Sequence, residues 1–466
     1  MVVALGVAAG LVGGGAGVVA YRSDGDGALP ATRPSPSASP TPLPTVPPVA
    51  VRTPAPLAAD AAPGPPDSPA TVTRLLAASL RDEALGPRVN ALVVDAATNA
   101  TLFDSNAGQP AIPASTTKVF TAAAALRVLG PDKRLETRVV ADGPVADGVL
   151  DGDLVVVGGG DPTLASRATT GTYPAPATIG ALARQVRAAG IRRVTGDFVV
   201  DASLFDGPTL APGWKPTYLS EGSIAPIRGF MVDGGRVSPD DDERNTRPDL
   251  AGAVKLRAAL RKAGVRIGDA LRSGPAPVTA DTVATVQSPP VSALVERMLV
   301  RSDNELAEAL ARHVAIARGA SADFAGVAAA LAATMRDLDV DPPRLYDGSG
   351  LSRQNRVTPN QLVLLLAAAA RDPKLLPVVT GMPVASFSGT LRQRFDDPES
   401  RAAAGYVRAK TGSLDNVSTL AGVIHTRGGR TLIFAFTADR LPSRFVGAAA
   451  RALDEAAATL ARCGCA

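Results

Sequence analysis

The chain changes its hydrophobic pattern in blocks. Residues 2–20 are a charge-free run of Val, Ala, Gly and Leu, close to the ~20 apolar residues that cross a bilayer as a helix. No polar positions interrupt it, as the outer face of a soluble helix would require, so residues 1–22 read as a membrane anchor or a cleaved signal segment. No Lys or Arg precedes the run and Arg22 follows it, so flanking charge sets no orientation. Residues 23–70 turn to Pro, Ser, Ala and Thr, as in Arg33-Pro-Ser-Pro-Ser-Ala-Ser-Pro. Proline removes backbone donors, which makes this stretch either a semi-extended spacer or a disordered tail.

From Thr71 the pattern is that of an α/β protein. Helical spacing covers 71–80, and two strands over 89–95 and 101–104 are joined by a turn containing Asn99. A second helix begins after Pro113 and leaves at Gly130-Pro131. Between about 135 and 285, Gly and Asp turns separate short strands, with one clear helix at 179–190, and this stretch reads as a separate lobe. Helical pattern runs from Val291 past Met335 and resumes at Pro359. Strands then flank the hairpin pair Gly428-Gly429, and an Ala-rich helix over about 444–460 ends the fold. The expected division is a body over 71–135 and 286–466 with a lobe inserted at 136–285.

The 466 residues are 46% hydrophobic and 20% charged, enough for a sizeable core and incompatible with wholesale disorder. The balance of 48 basic and 44 acidic residues leaves +4, with 4% aromatics, so neither a basic field nor stacking platforms point to nucleic acid. Cys463 and Cys465 are too few for a four-cysteine zinc site; a strained pairing, free thiols and a link to another chain all stay open. His313 and His425 lie in apolar contexts and read as packing residues. Gly158-Gly-Gly-Asp lacks the ending of a phosphate loop, and Asp240-Asp-Asp-Glu lacks calcium-loop spacing. No metal or organic cofactor is implied.

Three short motifs carry chemistry. Ser115-Thr-Thr-Lys118 opens the second helix and puts a hydroxyl and an amine three residues apart, side by side. A serine needs a neighbour to take its proton, and a lysine does so only when burial or a second cation lowers its pKa. Ser302-Asp303-Asn304 lies in the helical region, and Lys410-Thr411-Gly412-Ser413 precedes the C-terminal hairpin. Each alone is common, but the ordered set is the signature of class A β-lactamases and penicillin-binding proteins. In such a site Lys410 would depress the Lys118 pKa and hold a substrate carboxylate, and Gly412 would let a substrate backbone pair with the strand edge.

From Thr71 onward the chain resembles the serine D-alanyl-D-alanine carboxypeptidase/endopeptidases, the low-molecular-mass class C penicillin-binding proteins. Asp161-Pro-Thr-Leu, Ser302-Asp-Asn-Glu-Leu-Ala-Glu and Asp347-Gly-Ser-Gly-Leu-Ser-Arg add to the three motifs, and the long interval from Lys118 to Ser302 matches the lobe inserted there in that family. The resemblance implies a transpeptidase fold, an antiparallel sheet flanked by helices. It makes Ser115 the acylated nucleophile and Lys118 its general base. Ser302 and Asn304 would relay protons and position the substrate amide, while Lys410, Thr411 and Ser413 would bind the terminal carboxylate. The N–H groups of Ser115 and Ser413 would form the oxyanion hole. The implied partners are peptidoglycan stem peptides, β-lactam antibiotics as inhibitors, and a membrane through the N-terminal segment, on the extracytoplasmic side. Two alternatives are a β-lactamase, whose deacylating Glu-x-x-Leu-Asn loop this chain lacks, and a catalytically silent cell-wall-binding protein, which would not need Lys118 beside Ser115.

Overall fold

Runs of β-branched and aromatic residues build two five-stranded sheets in the computed structural model, which describes residues 68–168, 173–205, 207–442 and 446–462. The apolar run at 2–20, nearly all of the Pro-rich stretch, and Cys463 and Cys465 lie outside the described residues. Among the described residues no helix is long and apolar enough to cross a membrane.

The chain enters through α1 (Pro69–Ser79), capped by Ser68 with Pro69 in its first turn. Next come β1 (Val89–Asp95), β2 (Thr101–Ser105) and α2 (Lys118–Leu129). The lobe follows: β3 (Glu136–Asp142), β4 (Val145–Ala146), β5 (Val149–Leu150), β6 (Asp153–Val157), α3 (Ile179–Ala188), β7 (Arg193–Val194), β8 (Phe198–Asp201), α4 (Pro248–Lys262), β9 (Leu271–Ser273) and β10 (Asp281–Gln287). The helices α5 (Val291–Arg301), α6 (Asn304–Ala317), α7 (Phe324–Arg336), α8 (Pro359–Arg371) and α9 (Leu376–Thr380) return the chain to the body. It closes with β11 (Val407–Leu414), β12 (Val417–His425), β13 (Thr431–Ala438) and α10 (Val446–Arg462).

The body sheet runs β11-β12-β13-β1-β2 and is antiparallel throughout. Its strands are apolar on both faces because helices cover both. Phe434 and Phe436 of β13 point to the side of α1 and α10, while Ile433 and Ala435 point to the side of α2, α5, α6, α7 and α8. This is the antiparallel sheet between helical layers that the motifs imply.

The lobe sheet runs β10-β3-β6-β8-β9, antiparallel on one side of β6 and parallel on the other. Two helices cover one face, not the single one expected. The pattern of α4 was hard to read because its inward positions include Gly252 and Ala253 beside Leu256 and Leu260, while Lys255, Arg257, Arg261 and Lys262 dilute its apolar content. Body and lobe belong to one compact unit. A cluster of Phe205, Tyr218, Ile224 and Ile227 from the lobe side packs on Ala309, Phe324 and Leu351 of the body.

Candidate active site

The nucleophile turn is built before α2 starts. A 3-10 turn over Ala114–Thr117 leads into the helix, and the Pro113 carbonyl accepts from the hydroxyls of Thr116 (2.7 Å) and Thr419 (2.9 Å), tying the turn to β12. Ala114 takes a left-handed φ of 47°, uncommon for a residue with a Cβ and often found where function constrains the backbone. Ser115 is half-buried at the surface of this turn and Lys118 is fully buried beneath it.

The Lys118 Nζ donates to Ser115 Oγ (3.0 Å), Asn304 Oδ1 (2.6 Å) and the Ser349 carbonyl (2.6 Å). An ammonium fills all three bonds. A neutral amine keeps two donors for the two carbonyl oxygens, and its lone pair then faces the Ser115 hydroxyl. Burial holds the Lys118 pKa down to about 8, against the upward pull of Asp347, Glu308, Asp303 and Glu305. Of the two causes the sequence offers, burial and a second cation at Lys410, burial is the leading one.

The Ser302-Asp303-Asn304 corner divides its work by residue. Ser302 ends α5 with φ 55° and ψ 38°, Asp303 caps α6 by accepting from Leu306 N, and Asn304 begins the helix. Reversing the chain this sharply leaves Ser302 and Asn304 on neighbouring sides of the site. The Asn304 Nδ2 donates to the Ser223 carbonyl of the lobe (2.8 Å), which fixes its Oδ1 toward Lys118.

The third motif lies on β11, an edge strand. The segment 383–385 pairs with it at 407–409, where Ala385 N donates to Val407 O and Ala409 N to Pro383 O; among the described residues this pairing does not continue past Ala409, where the motif begins at Lys410. The fully buried Lys410 Nζ donates to Ser302 Oγ (3.0 Å) and the Thr411 carbonyl (2.9 Å), and Thr411 Oγ1 meets Thr390 Oγ1 at 2.8 Å. Burial and then repulsion from Lys118 hold the Lys410 pKa well below that of a free lysine. A Cβ on Gly412 would stand 2.2 Å from Thr419 Oγ1 and 2.6 Å from the Pro113 carbonyl. Glycine is thus required by the nucleophile turn behind the strand, a reason different from the edge approach expected of it. Ser413 is exposed farther along the strand.

The structure therefore joins Ser115, Lys118 and Asn304 in one hydrogen-bonded group and Ser302, Lys410 and Thr411 in another, with Gly412 packed against the nucleophile turn. Several partners were missed. The Ser349 carbonyl belongs to the Asp347–Ser352 loop, quoted in the sequence for its likeness but given no role. Asp347 accepts from Gly350 N, Ser352 N, Asn355 Nδ2 and, at 2.8 Å, Trp214 Nε1. Glu305 accepts from Ala225 N and pairs with the buried Arg244 at 2.7 Å, a second tie from the lobe. A cleft of about 590 Å³ opens between that lobe and the 301–305 corner. His313 is a packing residue, as read: it is half-buried against Phe205, with Nε2 on the Gly159 carbonyl and its pKa lowered to about 4 by desolvation.

A family model described as the D-Ala-D-Ala carboxypeptidase 3 (S13) family matches residues 72–255 and 242–460. The chain is 40% identical over 405 residues to Carboxypeptidase DacB of Mycolicibacterium smegmatis, with 84% of each chain covered. It is 30% identical over 428 residues to a D-alanyl-D-alanine carboxypeptidase of an Actinomadura species, covering 74% of this chain and 77% of that one. Among solved structures, penicillin binding protein 4 of Haemophilus influenzae shares the fold at a TM-score of 0.69 and 23% identity, over 83% of this chain and 98% of that one.

Proposed function

The chain belongs to the D-Ala-D-Ala carboxypeptidase 3 (S13) family, and we propose that it works as an extracytoplasmic, penicillin-binding serine DD-peptidase that removes the terminal D-Ala of peptidoglycan stem peptides. The observation that carries this reading is the Lys118 amine, fully buried, 3.0 Å from Ser115 Oγ and held by two carbonyl oxygens that leave its lone pair for the hydroxyl.

In the proposed cycle, neutral Lys118 takes the Ser115 proton as Oγ attacks the carbonyl of the penultimate D-Ala. The N–H groups of Ser115 and Ser413 hold the oxyanion. Lys410, with Thr411 and Ser413, holds the terminal carboxylate, and the Ser302 hydroxyl, 3.0 Å from Lys410, passes a proton to the departing amine and recovers one from the Lys118 ammonium, which returns to the neutral amine. Asn304 positions the substrate amide, and Gly412 keeps β11 close to the nucleophile turn. Water then releases the acyl group from Ser115. The edge position of β11 beyond Ala409 supports pairing of the peptide as an added strand, which suits cleavage of cross-links as well. The apolar run at 2–20 supports tethering of the enzyme outside the membrane.

Incubating the full chain with benzylpenicillin and following intact mass tests the proposal. The expected result is a long-lived adduct of one drug per chain, absent from Ser115→Ala. Rapid drug consumption without an adduct would indicate a β-lactamase, and a folded protein inert to the drug would leave a binding module.

A further inference from the structure

Glu308 is fully buried, four residues after Asn304 on the same face of α6, and touches neither Ser115 nor any residue of the three motifs by a hydrogen bond among the described residues. Its two carboxylate oxygens instead accept from Gly348 N (3.1 Å each), and Oε1 accepts from Ser349 N at 2.7 Å. Ser349 is the residue whose carbonyl accepts from Lys118 Nζ at 2.6 Å, and the neighbouring Gly348 carbonyl accepts from Thr121 Oγ1 at 2.6 Å, one turn along α2 from Lys118. The 348–349 peptide is thus pinned on its N–H side by α6 and on its carbonyl side by α2. A Cβ at Gly350 would lie 1.9 Å from the Ala114 carbonyl, so the same loop also abuts the nucleophile turn.

A buried carboxylate is costly unless its oxygens are satisfied and a charge answers it. Three charged groups act on it, Lys118 from α2, Asp347 from the loop and Arg312 from its own helix, while Asp303 and Glu305 act with it on Lys118. Arg312 is engaged with the carbonyls of Ala322 and Pro208 and with the rings of Phe205 and Phe324. A merely structural role would be met as well by a neutral acceptor.

We propose that Glu308 is the positioning residue for the Lys118 amine: by holding the Gly348 and Ser349 N–H groups it sets the Ser349 carbonyl, and so aims the lone pair at Ser115. The inference rests on Lys118 being the base in the reading above. It assigns Glu308 two separable effects. Its hydrogen bonds fix geometry, which sets the maximal acylation rate. Its charge favours the ammonium form of Lys118, which sets the pH at which the base becomes free. Burial and the Asp347 charge push the Glu308 carboxyl itself up to about 7, against the Ser349 and Gly348 N–H groups and Arg312, which favour its charged form.

The test is the second-order rate of benzylpenicillin acylation from about pH 6 to about pH 10, on the full chain. For Glu308→Gln the plateau is expected to fall about tenfold or more, while the acid limb moves to lower pH because the loss of a nearby anion makes the ammonium easier to deprotonate. Thr121→Val loosens the same loop and removes no charge, so its plateau falls while its limb stays in place. Two results overturn the inference: a Glu308→Gln profile that coincides with wild type, or one that coincides with Thr121→Val. A plateau untouched by Thr121→Val also overturns it, a result that remains readable if Glu308→Gln does not fold. Wild-type protein with no adduct on Ser115 fails differently, since it removes the parent reading.

Discussion

Body and lobe solve burial in opposite ways. The lobe sheet packs Val139, Leu154, Val156, Phe198 and Val200 under Leu182, Val186, Leu256 and Leu260, and leaves pairs such as Arg272 with Asp153 and Asp197 exposed. The body has equally apolar layers on both sides of its sheet, yet seals Lys118, Lys410, Glu308, Arg312 and Asp347 inside with no exposed surface. Removing charge from water costs free energy, which the lobe incurs only at scattered points such as Asp161, Arg244 and Asp249. The expense is concentrated where a serine meets an amine, which is what separates a catalytic region from a scaffold of similar size and sheet count.

That contrast is open to direct attack. The largest expected effect is from Lys118→Met, which keeps bulk and loses the proposed base: acylation by benzylpenicillin should fall about 10³-fold in a chain that still folds, as measured by adduct formation alongside thermal unfolding. In the lobe, Leu256→Ala should do the reverse. It opens a cavity at a fully buried site and should cost about 2–5 kcal/mol of stability in denaturant titration, with the pH profile of the folded fraction unchanged. A wild-type profile sharpens the comparison next. The lysine pKa is lowered to about 8, so the amine is charged and inactive below that pH and free above it, and the rate should drop about tenfold per pH unit on the acid side. The smallest effect is expected from Gly412→Ala, whose Cβ meets Thr419 and Pro113; it should cost about 1–3 kcal/mol and slow acylation together with stability.

Much of this was legible beforehand. The strands at 89–95 and 101–104, the hairpin around Gly428-Gly429 and the helices from Val291 onward follow from alternation and helical spacing, and the three motifs name the side chains that meet. What escaped was of two kinds. The helix α4 sets Gly252 and Ala253 beside Leu256 and Leu260 on its inward face, and the small residues give little apolar contrast. The site's hidden partners are backbone atoms: Lys118 rests on the Ser349 carbonyl and Asn304 on the Ser223 carbonyl, and a carbonyl leaves no mark in residue identity. Glu308 is visible as a letter in Ser302-Asp-Asn-Glu-Leu-Ala-Glu, but the loop it holds lies 40 residues away, a distance that local spacing does not span.

One feature bears on how such a site persists over generations. Ser302 occupies a left-handed backbone position that costs a residue with a Cβ roughly 1–2 kcal/mol. Glycine there would relieve that cost and would delete the hydroxyl beside Lys410. Drift under selection for thermal robustness alone therefore pushes this corner toward a sturdier and inert molecule, and a population that keeps serine records continuing selection for turnover. Laboratory evolution by heat challenge should reach Ser302→Gly early, and the survivors would still fold while losing the proton relay proposed for Ser302.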